Sequence, residues 1–588
     1  MSAIRLPAAL ALVLACGAGA RQAERSPLSE AIKVDQVGYL PARAKRAAVT
    51  DPRARGPFAV RRSGDAAEVL RGTLGPKVAD PDTGDTVMAA DFSGLAQEGS
   101  FYLEVDGVGS SHEFEVSPDV YVRAFLLAAR SFYGQRCGTA VDLGPSHPAY
   151  RHPGCHMAGT ANPDALFHAS SGRGGALDAR GGWHDAGDYG KYVVNSGIAT
   201  GELLWAYELF ADRVGSVRLD IPESGNDVPD LLDEIRWNLE WMLVMQDADG
   251  GVWHKLTSER FGGFVLPHVD DSGPRYVIGT GSAPHKSSCA TADFAAVMAA
   301  AARVFRRFDP AFAGAALAAA ERAWAWVSAN PDVVFRNCCG VQTGEYGDAD
   351  CRDERLWAAA ELYRTTGAAE YDLYFTSHFA GRGAATVTEG PPQWWQDVGN
   401  LAMVGYLLAG GPGAGDTVRA RIRADTLAAA DAIVARSAAN PYRVSLRSDD
   451  YVWGSNGVVA NYGVLLVLAN EVRPNAAYLE AAADDLHYLL GRNTFGLSWV
   501  TGVGDRPFRH PHHRPSGGDD NAEPWPGLLS GGPNRYGGDP VLDALPEAPP
   551  ARRYRDDQGS WASNENAINW NAALVFLLAS VLPEDGAR

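Results

Sequence analysis

Positive charge is scarce in this chain of 588 residues: 52 lysines and arginines stand against 71 aspartates and glutamates, a net charge of −19. Recognition of a phosphate backbone or an acidic lipid surface needs clustered Lys and Arg, so nucleic acid is not an expected partner. A neutral or cationic ligand fits better. Long apolar runs are lacking as well. Beyond the N-terminus no segment offers about 18 uncharged apolar residues free of glycine and polar breaks, so no membrane insertion is expected. Cysteine is sparse, and seven in so long a chain are no disulfide scaffold. No tandem repeat is strong enough to define a repeat fold.

What is present is a globular composition, 46% hydrophobic and 21% charged, over a length that favours a small domain beside a large one. The N-terminus reads Arg5, the apolar run "LPAALALVLAC", then "GAGA" before Arg21. A short apolar stretch followed by small residues is an export signal, too short to span a bilayer. Two processing readings compete. "VLAC" resembles a lipoprotein box that would place a lipid anchor on Cys16, while Ala18-Gly19-Ala20 suits ordinary signal-peptide cleavage. Residues 1–30 are therefore read as export signal and linker. The mature protein is expected to be secreted, periplasmic or tethered at the cell surface, and monomeric.

From Ile32 to Val116 the sequence alternates apolar and polar residues in short runs broken by Gly, Pro and Asp: "IKVDQVGYL", "RAAVT", "FAVRR", "EVLRGTL", "TVMAADF", "SFYLEVD" and "HEFEVS". Seven short strands over 31–117 predict a β-sandwich of immunoglobulin type, here without its cysteine pair. At Pro118 the period changes to 3.6, and roughly twelve amphipathic helical runs follow, among them "YVVNSGIATGELLWAYELFA" and "NAINWNAALVFLLASVL". An even count with no strands between predicts a closed double ring of helices over 118–588. Long loops at 143–190, 248–288, 334–353, 439–456 and 496–563 are expected to carry function at one end of that barrel.

The stretch "GGWHDAGDYGKY" sets Asp185 and Asp188 among glycines that disfavour a helix. A tight loop there can aim both carboxylates into a cleft; the alternative is an Asx turn capping the next helix. A second acidic group, Asp556, Asp557 and Glu565 in "YRDDQGSWASNENAINWNAAL", precedes an apolar helix, where a Glu is often only a dipole partner. Taken together, the two groups can supply a general base and a separate general acid, as cleavage of a glycosidic bond requires. His512, Arg514 and nearby Trp and Tyr residues would bind sugar hydroxyls and stack on sugar faces. Trp237, Trp241, Trp324 and Trp326 lie within helices and read as core. Trp253, Trp394, Trp395 and Trp453 lie at loop or helix ends, and Trp253 and Trp453 are chosen as stacking residues.

Two metal sites are suggested. Cys137, Cys155, His156 and His184 offer two thiolates and two imidazoles, which suits tetrahedral Zn2+, with a Cys137–Cys155 disulfide as the alternative. "TGEYGDADCRDE" is an oxygen-rich turn that suits Ca2+ or, alternatively, a solvated acidic loop capping a helix. A disulfide from Cys351 to Cys338 or Cys339 would pin that loop, and the sequence leaves the partner open.

The segments "VDQVGYLPARAKRAAV", "GGWHDAGDYGKYVVNSG", "TGEYGDADCRDERLWAAAELY", "YLLGRNTFGLSWVTGVGDRPFRHPHHRPS" and "YRDDQGSWASNENAINWNAAL" resemble glycoside hydrolase family nine, cellulases with an N-terminal immunoglobulin-like domain and an (α/α)6 barrel. The likeness covers nearly the whole mature chain, with Tyr554, Asp556, Trp561, Glu565, Ala567, Asn571 and Ala572 in register. It implies that Asp188 is the general base, that Asp185 helps hold the attacking water, and that Glu565 is the general acid in an inverting reaction. That reaction needs a carboxylate separation of roughly 6.5–9.5 Å. Glu565 must then stay protonated, with Asp556 expected as the neighbouring anion that raises its pKa. His512 and Arg514 match the family's HxR sugar-binding positions, and Tyr554 joins them as a substrate-binding residue. Relatives carry a structural zinc at positions matching Cys137, Cys155, His156 and His184. The family's calcium pattern falls on Thr343, Gly344, Asp353, Glu354 and Asp397, with Asp348 and Asp350 as further candidates.

The expected activity is an endo-β-1,4-glucanase on cellulose or related β-glucans. With no separate cellulose-binding module visible, soluble or amorphous substrate is expected. The alternatives are an exo-acting β-glucosidase or exo-β-glucosaminidase on short oligosaccharides, and a non-catalytic glycan-binding protein, which would need a lost acid or base.

Overall fold

The computed structural model describes residues 25–382, 384–410 and 416–584, so Cys16 and Ala18-Gly19-Ala20 lie outside the described residues. The N-terminal part is a β-sandwich. Its ten strands are β1 (Ile32–Lys33), β2 (Gly38–Tyr39), β3 (Arg46–Val49), β4 (Pro57–Arg62), β5 (Glu68–Thr73), β6 (Val78–Ala79), β7 (Thr86–Asp91), β8 (Gly99–Val105), β9 (Gly109–Ser110) and β10 (Phe114–Val116). One sheet runs β1-β3-β7-β6 and the other β2-β10-β8-β4-β5, with β9 beside β8. Period-two alternation sorts the faces. Along β8, Phe101, Leu103 and Val105 enter the core between the sheets with Phe58, Val60, Met88 and Phe114. Tyr102 and Glu104 take the other face, where Arg25 lies over the Tyr102 ring and Arg61 pairs with Glu104.

Seven strands were expected in this region. β6 and β9 are two-residue pieces with no visible pattern, and "IKVDQVGYL" splits in two. The split has a local cause: Asp35 accepts hydrogen bonds from the backbone N–H groups of Val37 (2.8 Å) and Gly38 (3.1 Å), replacing ladder bonds with a turn.

The rest of the chain is a double ring of long helices, and the expectation of no strands between them is corrected by six short strands in the loops between Val141 and Ile278, four of them in one sheet. The long helices are α1 (Val122–Gly134), α2 (Val193–Val214), α3 (Asp230–Val244), α4 (Ser288–Phe305), α5 (Pro310–Ala329), α6 (Arg352–Thr366), α7 (Ala369–His378), α8 (Gly399–Leu408), α9 (Asp416–Ala439), α10 (Ser455–Val472), α11 (Ala476–Leu489) and a final helix, Ile568–Ala579. The inner ring closes through the neighbours α2, α4, α6, α8, α10 and the final helix, which returns to α2. The odd-numbered helices pack outside it. Inner helices are buried on nearly all sides, so they lack a polar stripe. Helix α4 is long and apolar enough to cross a membrane, yet 94% of it is buried as a core helix of this ring. Close approach needs small residues: a Cβ on Gly463 of α10 would lie 2.9 Å from Leu577 of the final helix.

The disulfide joins Cys289, at the start of α4, to Cys351, at the start of α6. This corrects the expected pairing of Cys351 with Cys338 or Cys339, which are both free. The reason is tertiary: α4 and α6 are neighbours in the inner ring although 62 residues separate the two cysteines.

The two domains meet through polar groups, buried around Asp35 and half-buried around Asp85. Asp35 takes His487 of α11 at 2.8 Å and the Tyr121 hydroxyl at 3.2 Å. Asp85 accepts from the hydroxyls of Tyr442 (2.6 Å) and Thr494 (2.8 Å). Removing one member of such a set strands the others in a dry interface. Asp35→Ala is expected to cost about 3 kcal/mol, read as a lowered thermal midpoint. Arg62→Ala, which breaks a pair open to solvent on both sides, should change stability by under about 0.5 kcal/mol.

Candidate active site

The loop from Gly181 to Tyr192 enters α2 and is fixed at both edges. The His184 N–H donates to the Gln135 carbonyl (2.7 Å), and the Asp185 N–H closes the turn on the Gly190 carbonyl (2.9 Å). Trp183 is buried, with its Nε1–H on Glu234 (2.8 Å). The C-terminal segment then clasps the loop. Ile568 donates its N–H to the Asp185 carbonyl (2.9 Å), and Arg514 donates to the Gly187 carbonyl through both its backbone (3.0 Å) and its guanidinium (2.9 Å). A Cβ on Gly187 would lie 1.8 Å from the His512 carbonyl oxygen, so only glycine fits there.

This clasp brings Asp185, Asp188 and Glu565 into one cleft of about 670 Å3, lined also by Tyr192, Phe261, Tyr346, Trp395, Trp453, His512, Arg514 and Trp561. Asp185 is buried, and its two oxygens accept from Asn195 Nδ2 (2.7 Å) and the Tyr346 hydroxyl (2.6 Å). Burial, then the Asp188 charge, push its pKa up to about 8. Asp188 accepts from the Gly190 N–H (2.9 Å) and the Tyr192 hydroxyl (3.4 Å). Among the described residues Glu565 accepts a single long bond, from the Gly187 N–H (3.4 Å). Desolvation, then the Asp188 charge, hold its carboxyl well above the usual range, against the opposing pull of Arg514. Glu565, holding its proton, thus faces hydrogen-bonded Asp188 across a pocket with aromatic walls, with Asp185, its pKa also raised, beside them, which is the equipment for acid–base cleavage of a glycosidic bond. His512 turns Nδ1 to the Gln558 carbonyl (2.7 Å), which leaves Nε2 as the ring's free nitrogen.

The family model described as "Glycosyl hydrolase family 9" matches residues 121–578. The chain belongs to glycosyl hydrolase family 9. A second model, "Cellulase N-terminal ig-like domain", matches residues 28–110 of this family 9 chain. Endoglucanase D of Acetivibrio thermocellus is 37% identical over 571 residues, covering 97% of this chain and 83% of its own length. The xyloglucan-specific endo-β-1,4-glucanase BoGH9A of Bacteroides ovatus is 36% identical over 576 residues, 94% of each chain. Among solved structures, a Zn-binding triple mutant of the family 9 endoglucanase J30 is 37% identical with a TM-score of 0.85, covering 93% of this chain and 100% of that one.

Several expected residues of this hydrolase fall elsewhere. Trp253 does not reach the cleft: it is buried against Phe167, with its Nε1–H on the Ser171 carbonyl (3.3 Å). Tyr554 is also buried and donates to Asn564 Oδ1 (2.5 Å), so it braces the residue before Glu565 and touches no cleft surface. Asp556 is not the anion that raises Glu565. Its carboxylate holds the backbone N–H groups of Arg509 and His510 (2.9 Å each), upstream of His512. The anion that matters is Asp188, from the other end of the barrel sequence. Trp453 does line the cleft. Tyr346, whose hydroxyl holds Asp185, lies within the acidic turn, where no local spacing marks it.

Cys137, Cys155, His156 and His184 are all buried, with ligand atoms within 4.8 Å of one another, and Cys137 and Cys155 are unpaired. His156 turns Nε2 to Asp270 (3.2 Å), as metal-bound imidazoles do. The calcium pattern is redrawn. Thr343 and Gly344 turn their carbonyls to the Lys255 ammonium (3.3 and 2.7 Å), which already supplies positive charge there. The acids gather instead around Asp293 of α4, which no motif indicated. Asp293 and Glu354 leave both carboxylate oxygens buried without a partner, and Asp348 leaves one. Burial and their mutual repulsion with Asp353 raise the pKa values of Asp293 and Glu354 well above normal. Asp397 acts on Asp348 from the loop before α8. Packed anions with unpartnered oxygens fit a hard divalent cation. Cys289 and Cys351, close to Glu354, are joined to each other and offer no thiolate.

Gly187→Ala should drive the clasp apart and cut kcat by about 100-fold or more, as small misplacements of catalytic groups do. Steady-state rates beside a circular-dichroism melt of the variant would check it.

Proposed function

We propose that this family 9 hydrolase is an exported, inverting endo-β-1,4-glucanase acting on cellulose chains or related soluble β-glucans. The observation that carries the reading is the convergence of Asp185, Asp188 and Glu565 on one cleft walled by Trp395, Trp453 and Trp561. Asp188 takes a proton from the attacking water. Asp185, anchored by Asn195 and Tyr346, orients that water. Water adds at the anomeric carbon while Glu565 delivers its proton to the departing glycosidic oxygen, and the configuration inverts. Pyranose faces stack on the tryptophans, and His512 and Arg514 meet sugar hydroxyls. The Cys289–Cys351 disulfide is in keeping with export.

Zn2+ would be held by Cys137, Cys155, His156 and His184. Four protein ligands make a closed, structural site, which braces the base of the loop that carries Asp185. Ca2+ would be held by Asp293, Asp348, Asp353, Glu354 and Asp397, neutralising the acids between α4 and α6.

On carboxymethyl cellulose the enzyme should lower viscosity early and release α-anomeric oligosaccharides of mixed length. Release of monosaccharide alone with unchanged viscosity would reject the endo reading. Glu565→Gln and Asp188→Asn should each lower kcat by about 10^2- to 10^4-fold. The parent's kcat should fall as pH rises through the raised pKa of Glu565, because the acid must carry its proton. The native state keeps that proton at pH values where the unfolded chain has lost it, so this group lowers stability as pH rises above the ordinary carboxyl range. Glu565→Gln should therefore melt higher than the parent at neutral pH, with the gain vanishing near pH ~4.

Elemental analysis should find one zinc per chain. Absence of zinc together with a Cys137–Cys155 disulfide would reject that site. Ca2+ at about 100 times its Kd should add about 2.7 kcal/mol of stability, and Asp293→Asn should remove the response.

A further inference from the structure

Cys338 and Cys339 are adjacent and free, Cys338 half-buried and Cys339 exposed, with sulfur atoms 2.6 Å apart. They sit in a tight turn closed by the Val341 N–H on the Cys338 carbonyl (3.1 Å). Both central residues are left-handed, Cys339 at φ 62° and Gly340 at φ 97°. Glycine adopts that conformation freely, while for Cys339 it costs about 1 kcal/mol. The Cys338 thiol fills a slot that a glycine leaves open, since a Cβ on Gly281 would lie 2.7 Å from its sulfur.

Both ends of the turn run into the substrate cleft. Asn337, just before it, and Gln342, just after it, line the cleft. Asn337 is pinned on three sides. Its N–H donates to Glu345 (3.0 Å), its Nδ2 to the Thr343 carbonyl (2.8 Å), and its Oδ1 accepts from the Lys255 ammonium (2.8 Å). Gln342 donates its N–H to the Glu259 carbonyl (2.7 Å). The turn is therefore joined at both ends to residues of the cleft wall.

We propose that Cys338 and Cys339 are a redox modification site, closing reversibly to a vicinal disulfide that resets the cleft wall through Asn337 and Gln342. The oxidant is a low-molecular-weight disulfide. The exposed Cys339 thiolate attacks one sulfur of that disulfide, forming a mixed disulfide and releasing the first small thiolate. The Cys338 thiolate then attacks the Cys339 sulfur and expels the second. Two protons and two electrons leave the protein, and the small disulfide becomes two thiols. Cys338 is the resolving residue because burial, with Cys339 beside it, pushes its thiol up to about 11.

Ring closure is reversible for a geometric reason. Consecutive Cα atoms are about 3.8 Å apart, below the roughly 4.4–6.8 Å that disulfides favour, and strained, exposed disulfides are readily reduced. Cys289–Cys351, buried between two helices, is the resistant counterpart in the same chain.

The full chain would be equilibrated in glutathione buffers of graded potential, then alkylated and mapped by mass spectrometry. Rates on cello-oligosaccharides would be measured on the same samples. The expected result is a peptide with Cys338 and Cys339 unalkylated and lighter by two hydrogens under oxidising buffer, and alkylated twice under reducing buffer, with Cys289–Cys351 unchanged throughout. KM should differ by about threefold or more between the two states while kcat changes less. Cys338→Ser/Cys339→Ser should abolish the redox dependence of KM. The proposal is overturned if both thiols stay alkylatable under oxidising buffer, if a glutathione adduct on Cys339 persists without closing, or if the ring forms and KM is unchanged.

Discussion

The backbone clasp between the Asp185–Asp188 turn and the segment from Arg514 to Ile568 is the contact on which the site depends. Asp185 and Glu565 lie 380 residues apart, yet the Asp185 carbonyl receives the Ile568 N–H and the Gly187 N–H reaches Glu565. Backbone bonds of this kind fix position to a few tenths of an ångström, which side-chain packing alone does not. The inner ring makes the clasp possible. Because the final helix closes onto α2, the loops preceding the two helices emerge side by side at the same end of the barrel.

The same end of the barrel collects buried acids and carbonyls, in three different electrostatic settings. Glu565 keeps its proton in a desolvated setting beside Asp188. The Thr343 and Gly344 carbonyls are met by Lys255, itself pushed down to about 7 by burial. The acids around Asp293 have no protein cation facing their unpartnered oxygens among the described residues. A proton and an ammonium answer the first two demands, and the third is of the kind a divalent cation would answer. The two differ in what they allow, since the proton on Glu565 can be donated while the Lys255 ammonium holds loop carbonyls in place.

The order of domains was legible because period two and period 3.6 are local signals, and the strand region ends where the first barrel helix begins. Asp185, Asp188 and Glu565 were legible from their resemblance to a family motif. The assignments that failed share one cause. Trp253 sits at a loop end in sequence but under the loop in space. Asp556 is nine residues from Glu565 yet spends its carboxylate on two backbone N–H groups. Cys351 is close in sequence to Cys338 and Cys339 but pairs with Cys289 across the inner ring. In each case nearness along the chain stood in for nearness in space.

By itself the sequence determined the fold class and the family, and it singled out Asp185, Asp188 and Glu565, because hydrophobic period and short motifs are properties of local stretches. Only the tertiary structure decided which anion raises Glu565, that Tyr346 holds Asp185, that Asp293 completes the acidic cluster, and that Cys338 and Cys339 share a tight turn between two residues of the cleft wall, Asn337 and Gln342. Those are statements about distance and burial, and both arise only when a closed ring of helices brings remote loops to one end.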